Sequence, residues 1–234
     1  MGERAVRVWA WIAAAAGGDA PVPIAALCRA AVRRLGVDGA SVTAVSGPSA
    51  REPVFASDEV SARLEDLQVT IGEGPCVDEF RSGAPVLIPD LESAGARWPG
   101  FALAAGAAGA RAMFAFPLQS GAIRVAVLSL YRARPGPQAA GELADALVFA
   151  DIARGLLLDA SSGITGSPGY QPLDGAPEAR TEVHQATGMI SVQLGVSLAE
   201  AFARLRAHAF ASSAELADVA GDVVRRRLRF DPDR

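Results

Sequence analysis

The chain has 234 residues, enough for one large or two ordinary domains, and half of them are hydrophobic, so a sizeable core can form. A net charge of −4 excludes a chain-wide nucleic-acid-binding surface, and all 22 basic residues are arginines. Two cysteines, Cys28 and Cys76, are too few for a disulfide framework and lack zinc-ligand spacing, so two reduced thiols in a cytoplasmic protein are expected.

In chain order, Arg4 and Arg7 precede an apolar run from Val8 to Ala16 that superficially resembles a signal peptide. The run is short, alanine-dominated and closed by Gly17-Gly18-Asp19, so it reads as a first helix packing Trp9 and Trp11. Residues 1–21 are therefore a helical extension, and no later segment reaches membrane-spanning length. Residues 24–35 have helical spacing, with Leu27, Ala31 and Leu35 on one face. Residues 40–46 read as a strand and 53–56 as its hairpin partner. Asp58 is placed to cap a helix running to about Gln68, and Pro75 to start another. Strands follow at 85–88, 113–118 and 123–131, the last two flanking a turn at 119–122. The last strand, apolar on both faces except at Arg124, is expected at the sheet centre. A helix over 138–158 completes a mainly antiparallel sheet with flanking helices.

Residues 161–177, rich in glycine, serine and proline, read as a linker. It divides a first module, 22–160, from a second, 178–234. The second module reads as three helices. The first spans 178–194 and stops at Gly195. A capping box at Ser197 to Glu200 opens the next, whose apolar face is Leu198, Ala201, Phe202, Leu205 and Ala209. A second box, Ser212 to Glu215, opens the third, with Leu216, Val219, Ala220 and Val223 inward. Three such helices bury their stripes by bundling.

Several blocks carry a family resemblance. LEDLQVTIGEGPCVDEF, PVLIPDL, RWPGFA, FPL and LSLYRARPG, between residues 64 and 136, resemble the GAF domains that accompany ANTAR modules in actinobacteria. VHQATGMISVQLGVSLAEAFARLRAHAF and LADVAGDVV, from Val183 to Val224, resemble an ANTAR domain. The resemblance implies an α+β GAF domain, with a mainly antiparallel sheet flanked by helices, followed by an all-α three-helix ANTAR bundle. It implies a small-molecule ligand between sheet and helices, a homodimer, and binding of RNA hairpins in leader transcripts that relieves transcription termination. Many ANTAR sequences carry lysine where this chain has Thr187. From Glu178 onward the module has eight arginines and eight acids and is formally neutral, whereas a phosphate-binding surface normally has a basic excess.

The candidate ligand-binding residues are Cys76, in the first turn of a helix where free N–H groups favour a thiolate, and Trp98, Phe101, Phe114 and Phe116 as pocket walls. A packed thiol and an ordinary aromatic core would leave the same pattern. Candidate RNA contacts are Arg180, His184, Thr187, Arg206, Arg225 and Arg226. Both histidines, His184 and His208, lie in the second module, so no nucleophile–histidine pair can be assembled in the first, and no catalytic or metal residues are assigned. The pattern fixes no cofactor. The alternatives to an RNA-binding output are a bundle that binds a protein partner and, more distantly, a methionine-sulfoxide-type reductase using Cys76 with Cys28 to resolve it.

Overall fold

The computed structural model describes residues 2–17, 23–45, 51–121, 123–161, 176–212 and 214–231. The chain divides into two compact units, Met1–Gln171 and Pro172–Arg234. Most of the expected linker, residues 162–175, lies outside the described residues.

The first unit is built on a five-stranded antiparallel sheet of order β2-β1-β5-β4-β3. Its strands are β1 (Gly39–Val45), β2 (Arg51–Ala56), β3 (Val86–Ile88), β4 (Ala112–Ser120) and β5 (Ile123–Arg132). β5 is central, as its two-sided apolar pattern predicts, and the β4–β5 ladder runs out to the pair Ser120 and Ile123. The turn is thus shorter than the four residues expected.

Period-two alternation splits each strand between two layers. Ala112, Phe114, Phe116 and Leu118 of β4 join Ala126, Leu128 and Leu130 of β5 in one core. Helices α1 (Glu3–Ala16), α2 (Ile24–Arg34) and α6 (Ala140–Ser161) supply its other side, through Val8, Ile12, Leu27, Cys28, Phe149 and Ala153 among others. Met113, Ala115, Val127 and Tyr131 face a second core. There they meet helices α3 (Glu59–Ile71), α4 (Pro75–Ser82) and α5 (Pro99–Ala107) through Leu64, Cys76, Phe101 and Ala105. α5 has no counterpart in the sequence reading: RWPGFALAAGA lacks a polar face, so periodicity does not mark it, although Pro99 sits at its start.

α1 is tied to the layer it joins. Asp145, 9% exposed on α6, accepts from Arg4 (2.5 Å) and Arg7 (2.9 Å). The guanidinium groups of Arg7 and Arg34 both lie over the Trp11 ring, 5.3 and 5.2 Å from its centroid. Trp9 stays 39% exposed.

The second unit has α7 (Ala176–Leu194), α8 (Leu198–Ala211) and α9 (Leu216–Val224). Gly195, at φ +66°, follows α7. Ser197 caps α8 by accepting from the Glu200 amide (3.2 Å), while the Glu200 carboxylate pairs with Arg204. Ala201, Phe202, Leu205 and Ala209 are buried as expected, but Leu198 is 62% exposed, because at the first helical position it overhangs the bundle's end. The second capping box does not form: Ser212 closes α8, donating its hydroxyl to the His208 carbonyl (2.7 Å), and Glu215 is the N-cap of α9. Leu216, Val219, Ala220 and Val223 are buried.

Candidate functional site

In the first unit, the polar residues that sequence reasoning passed over form a buried seam between the sheet and α3–α4. Ser41 and Thr43 point to the same face of β1, and their hydroxyls donate to the two carboxylate oxygens of Glu65 at 2.8 and 2.9 Å. Glu65 is 1% exposed, and Gln68, three residues on and so on the same helical face, is fully buried. Gln68 Oε1 accepts from the Cys76 amide at 2.7 Å, joining α3 to the first turn of α4. Ser129 lies opposite Ser41 in the β1–β5 ladder, and Glu79 is buried one turn beyond Cys76. The legible signal was polar residues at inward positions: Ser41 and Thr43 on an otherwise apolar strand, Glu65 and Gln68 within LEDLQ, and Ser129 within LSL.

The turn between α3 and α4 explains how these groups meet. Gly72 ends α3 at φ +76°, and Gly74 opens α4 at φ +125°, a conformation reserved for glycine. A Cβ on Gly74 would lie 2.7 Å from Gln68 Oε1 and 2.8 Å from its Cγ, so the glycine also makes room for that side chain. Between them, Glu73 accepts from the Gly100 and Phe101 amides at 3.2 and 3.4 Å, capping α5. Asp78 accepts from Trp98 Nε1 (3.2 Å) and pairs with Arg97, which also stacks over Trp98 at 4.5 Å. At its other end α4 is held by Arg124, which donates to the Phe80 carbonyl.

The expected ligand-binding residues divide between the two layers. Cys76, Trp98 and Phe101 share the core beside the seam, and the Trp98 and Phe101 rings meet edge to face at 6.4 Å. Phe114 and Phe116 belong to the opposite core, because their positions on β4 alternate with those of Met113 and Ala115. They wall no common pocket with Cys76. Cys28 likewise lies across the sheet from Cys76. Both thiols are fully buried, and burial pushes the Cys28 thiol above its ordinary range. A separate open cleft of about 570 Å³ is lined by Gly36, Asp38, Arg132, Ala133, Arg134, Pro135 and Glu142. The Arg132 guanidinium there is engaged by Glu142 (2.8 Å) and by the carbonyls of Gly36, Leu35 and Pro137, which makes it a structural fastener. Among the described residues no group of histidine, cysteine, aspartate or glutamate is arranged to hold a metal ion.

Of the expected RNA contacts, His184, Arg225 and Arg226 are exposed. Arg180 lies in α7, but its side chain is outside the described ones. Thr187 departs from the expectation: it is 8% exposed, and its hydroxyl bonds back to the Val183 carbonyl at 2.7 Å, so it belongs to the packed side of the helix. Arg206 is half-buried, with its guanidinium 5.4 Å from the Phe202 ring centroid. Arg225 pairs with Glu182 of α7 at 2.7 Å, crossing α9 over Gly221. Arg226 is the one non-glycine at positive φ (59°) among the described residues.

Comparison with known proteins agrees with this architecture. The first unit is similar to the GAF domain of the Acinetobacter phosphoenolpyruvate-protein phosphotransferase, at 10% identity, covering 70% of this chain and 98% of that one with a TM-score of 0.51. It is similarly close to the corresponding GAF domain from Coxiella burnetii, at 11% identity, covering 69% and 98% with a TM-score of 0.51. At these identities the likeness establishes the fold. No curated protein sequence matches the chain. Among the described residues no helix is long and apolar enough to cross a membrane. The GAF domain family matches residues 24–150 and the ANTAR domain family residues 171–224. The chain belongs to the GAF domain family and joins to that domain a C-terminal ANTAR domain, the make-up of a sensor-plus-output regulator.

Proposed function

We propose that this chain is a signal-responsive transcription antitermination regulator, whose GAF domain senses a small molecule or redox state and whose ANTAR domain binds RNA hairpins in leader transcripts. The observation that carries the reading is the succession of the two domains on one chain. The buried polar seam supports a sensing role through Gln68 Nε2 and Ser129 Oγ, which have no hydrogen-bond partner among the described residues, since buried polar groups are seldom left unpaired. The reading is non-catalytic: Cys28 and Cys76 occupy opposite layers, so the cysteine that a thiol-based reductase would use for resolution is not beside the nucleophile. It is also homodimeric and cytoplasmic. Val6, Trp9 and Leu147 leave apolar area exposed on α1 and α6, and two hairpin-binding bundles held together gain effective concentration.

On the ANTAR domain, His184, Arg226 and Arg206 with its flanking surface are the proposed contacts. Because the domain is formally neutral, affinity comes from a local patch and from loop contacts, not from a broad basic face. The test is titration of the full chain against leader-RNA hairpins from its host at two salt concentrations. Arg206→Ala is expected to weaken binding by about 1–3 kcal/mol. Wild type that prefers no hairpin over a scrambled control sinks the RNA reading and leaves a protein-binding output.

A further inference from the structure

Helix α6 carries two stripes. Ala146, Phe149, Ala150 and Ala153 point into the core that it shares with α1 and α2. A second stripe, Ala140, Ala144, Leu147, Asp151, Arg154 and Leu158, recurs at alternating steps of four and three residues, the repeat by which one helix pairs with another. None of these six is buried: Ala140, Leu147 and Asp151 are exposed, and Ala144, Arg154 and Leu158 are partly so. Leucines at such spacing on an outward face suit a facing helix better than water.

The two charges at the middle of this stripe select the partner and its direction. Arg154 donates from Nε (3.2 Å) and Nη2 (2.7 Å) to the same oxygen of Asp151, Oδ1, so Oδ2 and Nη1 keep capacity for groups on a second molecule. In a parallel pair of identical helices each position faces its own copy, which sets acid against acid at 151 and base against base at 154. Turned antiparallel about a two-fold axis between Ile152 and Ala153, the stripe becomes self-complementary. Asp151 then meets Arg154 of the other copy, Arg154 meets its Asp151, and Leu147 meets Leu158 on either flank. We propose that two copies of this chain associate through α6 in this antiparallel register, with two symmetric ion pairs at the centre and a leucine pair at each side. The proposal rests on the reading of the protein as a homodimer and adds to it the interface and its direction.

The test uses the full chain and analytical ultracentrifugation. Asp151→Arg and Arg154→Asp are each expected to weaken the dimer at least about tenfold, because each leaves two like-charged pairs at the centre. An equimolar mixture of the two variants should restore dimers, since the mixed dimer sets two arginines against two aspartates. That rescue cannot come from the bond within one helix, which both variants lack. Oxidative cross-linking then reads direction: Leu147→Cys and Leu158→Cys should cross-link to each other when mixed, and neither should cross-link to itself. Wild type that is monomeric at micromolar concentration overturns both the proposal and the homodimer reading. A dimer indifferent to both charge changes, a mixture that stays monomeric, or either cysteine variant cross-linking to itself overturns the antiparallel α6 interface and leaves the homodimer reading standing.

Discussion

Replacing Gly74 by alanine should be among the most damaging single-methyl additions to the first unit. Two costs combine. Gly74 sits at φ +125°, ψ 174°, a region that L side chains avoid at a cost of about 1–3 kcal/mol. The new Cβ would also fall 2.7–2.8 Å from Gln68, and the crowded atoms include Cγ, not only the far end of the chain. Gln68 is fully buried and must move as a unit, giving up the 2.7 Å bond to the Cys76 amide and leaving that N–H unsatisfied, for about 1–3 kcal/mol more. The expected loss is about 2–6 kcal/mol, with partial relaxation taking it toward the lower end. Urea unfolding by tryptophan fluorescence is the assay, since Trp9, Trp11 and Trp98 all belong to the first unit. Gly155→Ala in α6, where a Cβ meets nothing within 4 Å, is the control and should stabilise by about 0.4–1 kcal/mol. A Gly74→Ala loss below about 1 kcal/mol would refute the tie between this turn and the seam.

Two further substitutions have signs worked out from local geometry. Arg226→Gly relieves a left-handed residue after α9 and should stabilise the second unit by roughly 0.5–1 kcal/mol, read by hydrogen exchange because that unit has no tryptophan; the same change should weaken hairpin binding if Arg226 meets phosphate. Burial disfavours the charge on Asp58, but hydrogen bonds from the Ser57 hydroxyl, the Ser61 amide and hydroxyl, and Tyr131 outweigh it and hold the carboxyl below its ordinary range. Its contribution is therefore complete above the unfolded value of about 3.9 and is lost as pH falls through the lower folded value, so the gap in urea midpoint between wild type and Asp58→Asn should close in acid; a gap that widens there contradicts the assignment.

The parts of the fold legible from sequence were those with a local cause. Asp58 caps α3, Pro75 starts α4, Ser197 caps α8 and Gly195 ends α7, each through chemistry contained within a few residues. What escaped was set by distant partners. α5 has no polar stripe and is fixed by Glu73, 27 residues earlier. Ser212 had two possible helices to serve and closed the one behind it. Phe114 and Phe116 were legible as buried, but which side of the sheet they face depends on strand register, which pairs Phe114 with Leu130 and Phe116 with Leu128. The seam stayed hidden for the same reason: Glu65 makes sense only once Ser41 and Thr43 lie beneath it, more than twenty positions away.

The placement of one thiol in each layer gives the first unit a built-in pair of internal clocks. Neither sulfur reaches solvent in the closed form, and the sheet keeps them from each other, so reagent reaches each only when its own side loosens. Timed alkylation read by mass spectrometry then reports two opening rates from one sample. A ligand lodged beside Cys76 should slow that site while Cys28 keeps its pace, whereas a compound that merely stiffens the whole protein would slow both together.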